Sequence, residues 1–151
     1  MISLDTDVLA VYHVFHSDRR YETTKKFFDS INDQTKTVTI FTSLELCGIF
    51  SCANRSKDSK TFFDAFIAAE DVIILFPDLL TKDNSDFWST LVAECFTRIQ
   101  KGMRLGDAAI LWTLESHDSV NQFITWNARH FKEKTSIKIS TPSEFLQTSQ
   151  Y

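Results

Sequence analysis

The sequence predicts an α/β protein, a three-layer α/β/α sandwich with a mostly parallel central sheet. Short runs of apolar and β-branched residues alternate along the chain with longer segments whose apolar residues recur every three to four positions. Three glycines and two prolines against fourteen phenylalanines favour packed helices and strands over long irregular loops. This alternation is typical of parallel strands joined by helices that cover both faces of one sheet.

Three strands are predicted in the first half of the chain. An apolar run ends at Leu4 and is followed by helical patterns over residues 8–15 and 19–31. The β-branched run 37–41 precedes Thr42 and Ser43, which are good N-cap residues for a helix over 44–50.

A further helix is predicted to start at Asp58, with Phe62, Phe63 and Phe66 in the core. The continuous apolar run 72–76 that follows is typical of a fully buried parallel strand.

The second half predicts two more strands and three more helices. A long helix runs from Asp83 to a stop at Gly102, and the next one is opened by residues 105–107. Strands are predicted over 121–125 and around Ile137 and Ile139. The sequence of residues 141–144 is a capping box with proline at the first helical position, which predicts a short C-terminal helix.

Length and composition limit the class of protein. The 151 residues suit a single domain over 1–151 with its own core. The sequence has neither a membrane-length apolar stretch nor a signal-peptide pattern, so we expect a cytoplasmic protein. Cys47, Cys52 and Cys95 lie in apolar helical patterns without metal-ligand spacing and are expected to be buried thiols.

The charge pattern allows only local contacts with phosphate groups. A net charge of −4 argues against a protein that binds nucleic acid with its whole surface. Two basic clusters nevertheless flank the acidic positions described next, and they contain Lys101, Arg104 and Arg129 as candidate phosphate contacts.

Polar residues follow the predicted strands where a ligand crevice is expected. Asp5 and Asn127 come directly after strand ends, and Glu45 and Asp107 lie in the first turns of helices. The carboxyl ends of parallel strands meet at one edge of a sheet, so the four side chains can converge there. Carboxylates at such an edge suit Mg²⁺ or Mn²⁺, which can acidify a water for attack at phosphorus.

Four segments in this order resemble the PIN-domain nucleases, in particular the toxins of VapBC-type toxin–antitoxin pairs. The segments are residues 4–9, 43–46, 106–110 and 124–131, and they span nearly the whole chain. The resemblance implies a PIN-like fold and an Mg²⁺- or Mn²⁺-dependent endoribonuclease. It also implies Asp5, Glu45 and Asp107 as metal ligands, RNA as substrate and an antitoxin protein as partner.

One position departs from the family pattern. Where many members carry a fourth acid this chain has Asn127, which can coordinate through its carbonyl oxygen or position a water but adds no charge. Thr6 and Thr125 are candidate hydroxyl partners of a ligand or water. Asp7 is interpreted as a helix cap whose side chain can reach residues or waters that surround the metal ligands. The apolar patterns of the early helices leave room for a groove or a homodimer face, and a homodimer is expected.

Three other functions compete with the nuclease interpretation. Asp5 and Asp7 resemble the start of haloacid-dehalogenase-like phosphatases, but Leu9 stands where those enzymes usually have threonine. Asp78 after the third strand resembles a receiver domain, but residues 140–142 lack the expected lysine. A PIN-like module that binds RNA or protein without cutting is the third alternative, because Asn127 is neutral.

Overall fold

The computed structural model describes residues 1–53, 55–77 and 84–148. Its strands are β1 (Ile2–Leu4), β2 (Lys36–Thr39), β3 (Val72–Leu75), β4 (Gln122–Ile124) and β5 (Lys138–Ser140). Its helices are α1 (Thr6–His13), α2 (Tyr21–Ser30), α3 (Ile40–Cys52), α4 (Ser56–Ala68), α5 (Asn84–Gln100), α6 (Leu105–Glu115), α7 (Ala128–Phe131) and α8 (Pro142–Thr148). The predicted strands and helices occur in the predicted order, but the short helix α7 between β4 and β5 was not predicted. Asp78 and Asp83 lie outside the described residues.

The five strands form one sheet in the order β3-β2-β1-β4-β5, and each neighbouring pair is parallel. In the centre Ile2 is in register with Lys36 on one side and with Gln122 on the other. Strands β2 and β3 therefore lie on one side of β1, and strands β4 and β5 lie on the other side. The boundary between β1 and β4 is the switch point, beside which ligands bind in open α/β sheets.

Helices cover both faces of this sheet. Successive side chains of a strand point to opposite faces, and the adjacent residues Phe123 and Ile124 of β4 belong to two different core clusters. Phe123 packs edge-to-face against Phe131 of α7, with ring centroids 5.2 Å apart. Ile124 shares its cluster with Leu9 of α1. The three-layer α/β/α sandwich predicted from the sequence is thus confirmed, with an all-parallel sheet.

Strand β3 is less buried than predicted. It forms the edge of the sheet beside β2, and Ile73 is 42% exposed. The prediction of a fully buried strand was wrong because a continuous apolar run reports hydrophobicity and not the position of a strand in the sheet.

Helix α3 begins earlier than predicted. Thr39 is its N-cap, and the Thr39 hydroxyl accepts a hydrogen bond from the Thr42 backbone N–H at 3.0 Å. The sequence prediction used Thr42 and Ser43 as the cap and extended β2 to Phe41. Both threonines are suitable caps, and Thr39, the last residue of β2, takes the role. As a result Glu45 lies in the second turn of α3 and not in the first.

The structure confirms two predictions at helix ends and corrects one prediction about a cysteine. Gly102 has φ of 80° just after α5, as expected for a helix-ending glycine. In the capping box Thr141 N–H donates to Glu144 Oε2 at 2.7 Å, and Glu144 N–H donates to Thr141 Oγ1 at 3.1 Å. Of the three thiols Cys95 is buried, Cys47 is partly buried and Cys52 is exposed, so the expectation for Cys52 was wrong.

The three phenylalanines of α4 that were predicted in the core differ in their burial. In α4, Phe66 is buried and Phe62 packs against the core, whereas Phe63 is only partly buried. No helix among the described residues is long and apolar enough to cross a membrane.

Candidate active site at the carboxyl edge of the sheet

Asp5 lies at the switch point and continues the pairing of β1 with β4. Its backbone N–H donates to the Ile124 carbonyl at 2.9 Å, and its Oδ1 accepts from the Thr6 N–H at 2.7 Å, which caps α1. The residue is only 6% exposed. Burial raises the pKa of the Asp5 carboxyl well above its ordinary value, and the nearby Asp7 and Asp107 carboxylates raise it further.

Asp7 joins the start of α1 to the segment after β4. Its carboxylate accepts from the Trp126 N–H at 3.1 Å and from the Thr125 hydroxyl at 3.3 Å. Burial raises the pKa of Asp7, and the hydrogen bond from Trp126 and the nearby Arg20 charge partly offset this rise. The prediction of Asp7 as a helix cap was wrong, because Asp5 occupies that position.

Thr125 and Asn127 line the same crevice from the β4 side. The Asn127 N–H donates to the Thr125 hydroxyl oxygen at 2.9 Å, which fixes the backbone between β4 and α7. Asn127 is the N-cap residue of α7, but its side chain makes no capping hydrogen bond and is exposed. Its amide group therefore remains available to a ligand.

Glu45 reaches the site from α3. The Thr6 hydroxyl donates to Glu45 Oε2 at 2.7 Å, so the residue after Asp5 holds this carboxylate. Glu45 also passes close to the start of α6. A Cβ atom placed on Gly106 would lie 2.1 Å from Glu45 Oε1. The glycine at position 106 therefore leaves room for the Glu45 carboxylate in this position.

Asp107 lies in the first turn of α6, as predicted, and its Oδ2 is 3.0 Å from His130 Nε2. The angles at this contact do not satisfy a hydrogen bond, and His130 Nε2 is buried without another partner among residues 1–53, 55–77 and 84–148. His130 was not among the site residues predicted from the sequence. Its spacing from Asn127, close to one helical turn, is the signal that could have identified it as a site residue.

Each acidic side chain of the site already contacts another residue, and Thr6 contacts two of them. Asp5 interacts with Thr6, Asp7 with Trp126, Glu45 with Thr6 and Asp107 with His130. In the part of the chain that the structure describes, no three His, Cys, Asp or Glu side chains already stand in coordination geometry. Coordination by the three predicted ligands would require Glu45 and Asp107 to turn toward Asp5.

The predicted phosphate contacts lie outside this cluster. Lys101, Arg104 and Arg129 are exposed. Arg104 is the N-cap residue of α6, and Arg129 lies in α7 next to a polar cavity that Trp126 and Lys132 also line. Their role toward phosphate groups stays a prediction.

Comparison with solved structures identifies chains of similar fold. The chain is similar to a chain of a toxin–antitoxin complex from Klebsiella pneumoniae, with a TM-score of 0.59 and 17% sequence identity. The similarity covers 94% of this chain and 98% of that chain. The two chains share a fold. No family model matches the sequence, and no curated protein matches it.

A shared fold does not identify the reaction of a protein, which depends on the residues of its site. The carboxyl edge of the sheet carries oxygen donors from Asp5, Glu45, Asp107 and Asn127. The Thr6 hydroxyl holds the Glu45 carboxylate, and the Thr125 hydroxyl holds the Asn127 backbone. Such an all-oxygen donor set suits a hard divalent cation.

Proposed function

We propose that the chain is a metal-dependent endoribonuclease and the toxin component of a toxin–antitoxin pair. The observation that carries this proposal is the position of Asp5, Glu45 and Asp107, which come from three separate segments to one side of the switch point. Asp5 is buried there, and the Asp7 and Asp107 carboxylates raise its pKa. Burying carboxylates together costs free energy that a divalent cation would offset.

The proposed ligands of Mg²⁺ or Mn²⁺ are Asp5, Glu45 and Asp107. Glu45 is exposed, and Asp107 is 22% exposed and bound to His130 only by a contact without hydrogen-bond angles. Asp107 can therefore turn toward Asp5, which is fixed by the Thr6 N–H, and Glu45 would turn about its hydrogen bond from the Thr6 hydroxyl. When bound, such an ion would supply an acidified water and neutralise charge at the phosphate.

Other residues of the chain would hold the substrate. Asn127 has an exposed amide beside the carboxylates and is proposed to bind the water or a hydroxyl group of the sugar. Thr125 fixes the Asn127 backbone and also donates to Asp7, so it is proposed to position this side of the site. Lys101, Arg104 and Arg129 are proposed to contact phosphates on either side of the cleaved bond.

The toxin role rests on two arguments. The sequence resembles VapBC-type toxins in four ordered segments, and the solved relative with the same fold belongs to a toxin–antitoxin complex. An antitoxin protein is therefore proposed as a partner, because a ribonuclease that acts without restraint would damage the cell that makes it.

The proposal is tested by incubating the purified chain with structured and single-stranded RNA in the presence of Mn²⁺, Mg²⁺ or a chelator. We expect cleavage products with either metal and none with the chelator. Single-stranded DNA of the same sequence serves as the comparison substrate. RNA that is bound but left intact under every metal condition would favour the binding-module alternative. A complete lack of both RNA binding and cleavage would contradict the proposed function.

A Gly106→Ala variant is expected to lose activity without losing stability. The added Cβ would collide with the Glu45 carboxylate, a flexible group that can move away, while alanine is the better helix former. Because displacement of a catalytic group by about 1 Å can cost a hundredfold, we expect cleavage to fall by about that factor. Gly48→Ala on α3 is the matched control, since its Cβ would meet no atom within 4 Å. Equal activity of the two variants would contradict the assigned role of Glu45.

A further inference from the structure

A polar cavity of about 630 Å³ lies beside α7 at the carboxyl edge of the sheet. We call it the α7 cavity and define it by six residues that line it: Trp126, Arg129, Lys132, Glu133, Thr141 and Glu144. Ala128 lines it as well, so the two neighbours of Asn127 in the chain both belong to its wall. The cavity therefore adjoins the candidate active site, and its volume is in the range of small-molecule sites.

Trp126 supplies this cavity with an aromatic ring that is held in place. Its backbone N–H donates to the Asp7 carboxylate at 3.1 Å, and its indole N–H donates to the Thr24 hydroxyl at 3.1 Å. The Arg20 guanidinium lies 5.8 Å from the centre of the ring, and Asp18 holds Arg20 through hydrogen bonds of 2.9 and 2.7 Å. A ring that is fixed before binding loses little entropy when a planar ligand stacks on it.

The charged groups of the α7 cavity balance each other. Arg129 and Lys132 are positive, whereas Glu133 and Glu144 are negative. Lys132 Nζ donates to Glu144 Oε1 at 2.8 Å, and this hydrogen bond lowers the pKa of Glu144, so that the carboxylate is ionised at neutral pH. A site for phosphate alone would be positive, but this cavity offers donors and acceptors together. A neutral planar ring with both kinds of group at its edge suits it better.

We propose that the α7 cavity binds an unpaired guanine base of the RNA next to the cleaved phosphate, which rests on the proposed function of the chain as a ribonuclease. Bases of single-stranded RNA are recognised by stacking on aromatic side chains and by hydrogen bonds at their edges. Trp126 is the stacking surface. Lys132 donates to the base, and Glu144 accepts from it.

Guanine matches the pair of Lys132 and Glu144 better than the other bases do. Its O6 and N7 atoms are the acceptors that lysine and arginine contact most often. The Lys132 ammonium group has three N–H donors, of which Glu144 needs one. A carboxylate can accept from two neighbouring N–H groups at once, and the pairing edge of guanine carries two such groups, on N1 and N2.

The test measures the binding of short RNA in a chelator, so that no metal-dependent cleavage takes place. The probes are labelled uridine hexamers that carry a guanosine, an adenosine or an abasic nucleotide at one central position, and fluorescence anisotropy gives each Kd. We expect the wild type to bind the guanosine probe at least about tenfold more tightly than the adenosine or abasic probe.

Variants of two residues separate stacking from hydrogen bonding. Trp126→Leu removes the ring and is expected to weaken binding of the guanosine probe by about tenfold or more, whereas Trp126→Phe keeps a ring and part of the affinity. Glu144→Gln retains the capping box, since glutamine also suits that position, but it is expected to lose the preference for guanosine over adenosine. Trp88→Leu is the matched control, because Trp88 is 62% exposed on α5.

Circular dichroism should show that all four variants are folded. Equal affinity of the wild type for the three probes overturns the proposal, and so does unchanged affinity in a folded Trp126→Leu protein. A Glu144→Gln protein that still prefers guanosine also overturns it. Cleavage of RNA in Mn²⁺ is measured separately, so metal-dependent cleavage without these effects refutes the base site and leaves the nuclease proposal standing. Absence of both RNA binding and cleavage refutes both.

Discussion

Replacement of Asp107 by asparagine is expected to lower metal-dependent RNA cleavage by at least a hundredfold. Changes to residues that only support a metal ligand typically cost about 10-fold to 100-fold in affinity or activity, so loss of a charged ligand should cost more. Asparagine keeps the size of the side chain and its position in the first turn of α6. The loss should therefore appear in metal binding and cleavage and not in the fold.

Two measurements separate these effects. Titration calorimetry with Mn²⁺ should give a binding signal for the wild type and a much weaker one for Asp107→Asn. Thermal unfolding without metal should be similar for both proteins. Asp86→Asn is the control, since Asp86 is an exposed acid in the first turn of α5. Full cleavage activity in the Asp107→Asn protein would rule out Asp107 as a ligand.

Asp5→Asn is expected to stabilise the metal-free protein at neutral pH while it abolishes cleavage. Burial and two neighbouring carboxylates raise the pKa of Asp5, so its charged form costs folding free energy. Asparagine removes that charge and can still accept from the Thr6 N–H through its side-chain oxygen. We expect the free energy of unfolding to increase by about 1 kcal/mol, which corresponds to a rise in Tm of about 2–4 °C for a domain of this length.

This gain should depend on pH in a defined direction. The unfolded chain ionises Asp5 near its ordinary pKa of 3.8, and the folded chain does so only at higher pH. The penalty is therefore absent below the unfolded pKa and grows as the pH rises through the folded value. The difference in Tm between Asp5→Asn and the wild type should be largest at neutral pH and should vanish well below pH 3.8, as measured by thermal unfolding in a chelator.

Added Mn²⁺ should make the Tm of the wild type higher than the Tm of Asp5→Asn. A ligand that binds only the folded state raises its stability, so the wild-type Tm should increase and the Asp5→Asn Tm should not. An Asp5→Asn protein that is less stable than the wild type in chelator at neutral pH would contradict the proposed cost of the buried charge.

The sequence predicted the fold well because its signals are local. Alternating strand and helix patterns identify the layers, and the apolar run before Asp5 leads into the central strand. The sequence patterns could not identify β3 as an edge strand, because the position of a strand in a sheet depends on the strands with which it pairs. They also could not choose between Thr39 and Thr42 as the cap of α3, since both residues have the required hydroxyl group.

The site was predicted in part for a similar reason. The order of Asp5, Glu45, Asp107 and Asn127 is visible in the sequence, and the structure places these residues at the predicted edge of the sheet. Their partners are not visible, because the contacts of Glu45 with Gly106 and of Asp107 with His130 join distant segments. Whether the four residues bind a metal and whether the basic residues bind phosphate stay predictions.

The central position of β1 also determines when the site can form during synthesis. Asp5 lies far before β4 along the chain, but its N–H bonds to the Ile124 carbonyl and its neighbour Asp107 lies in α6. Parallel pairing between distant segments forms late, because the loop between them must close first. An incomplete chain therefore lacks the carboxylate cluster until β4 has been made. We therefore do not expect a nascent chain to have the proposed activity before β4 has been made.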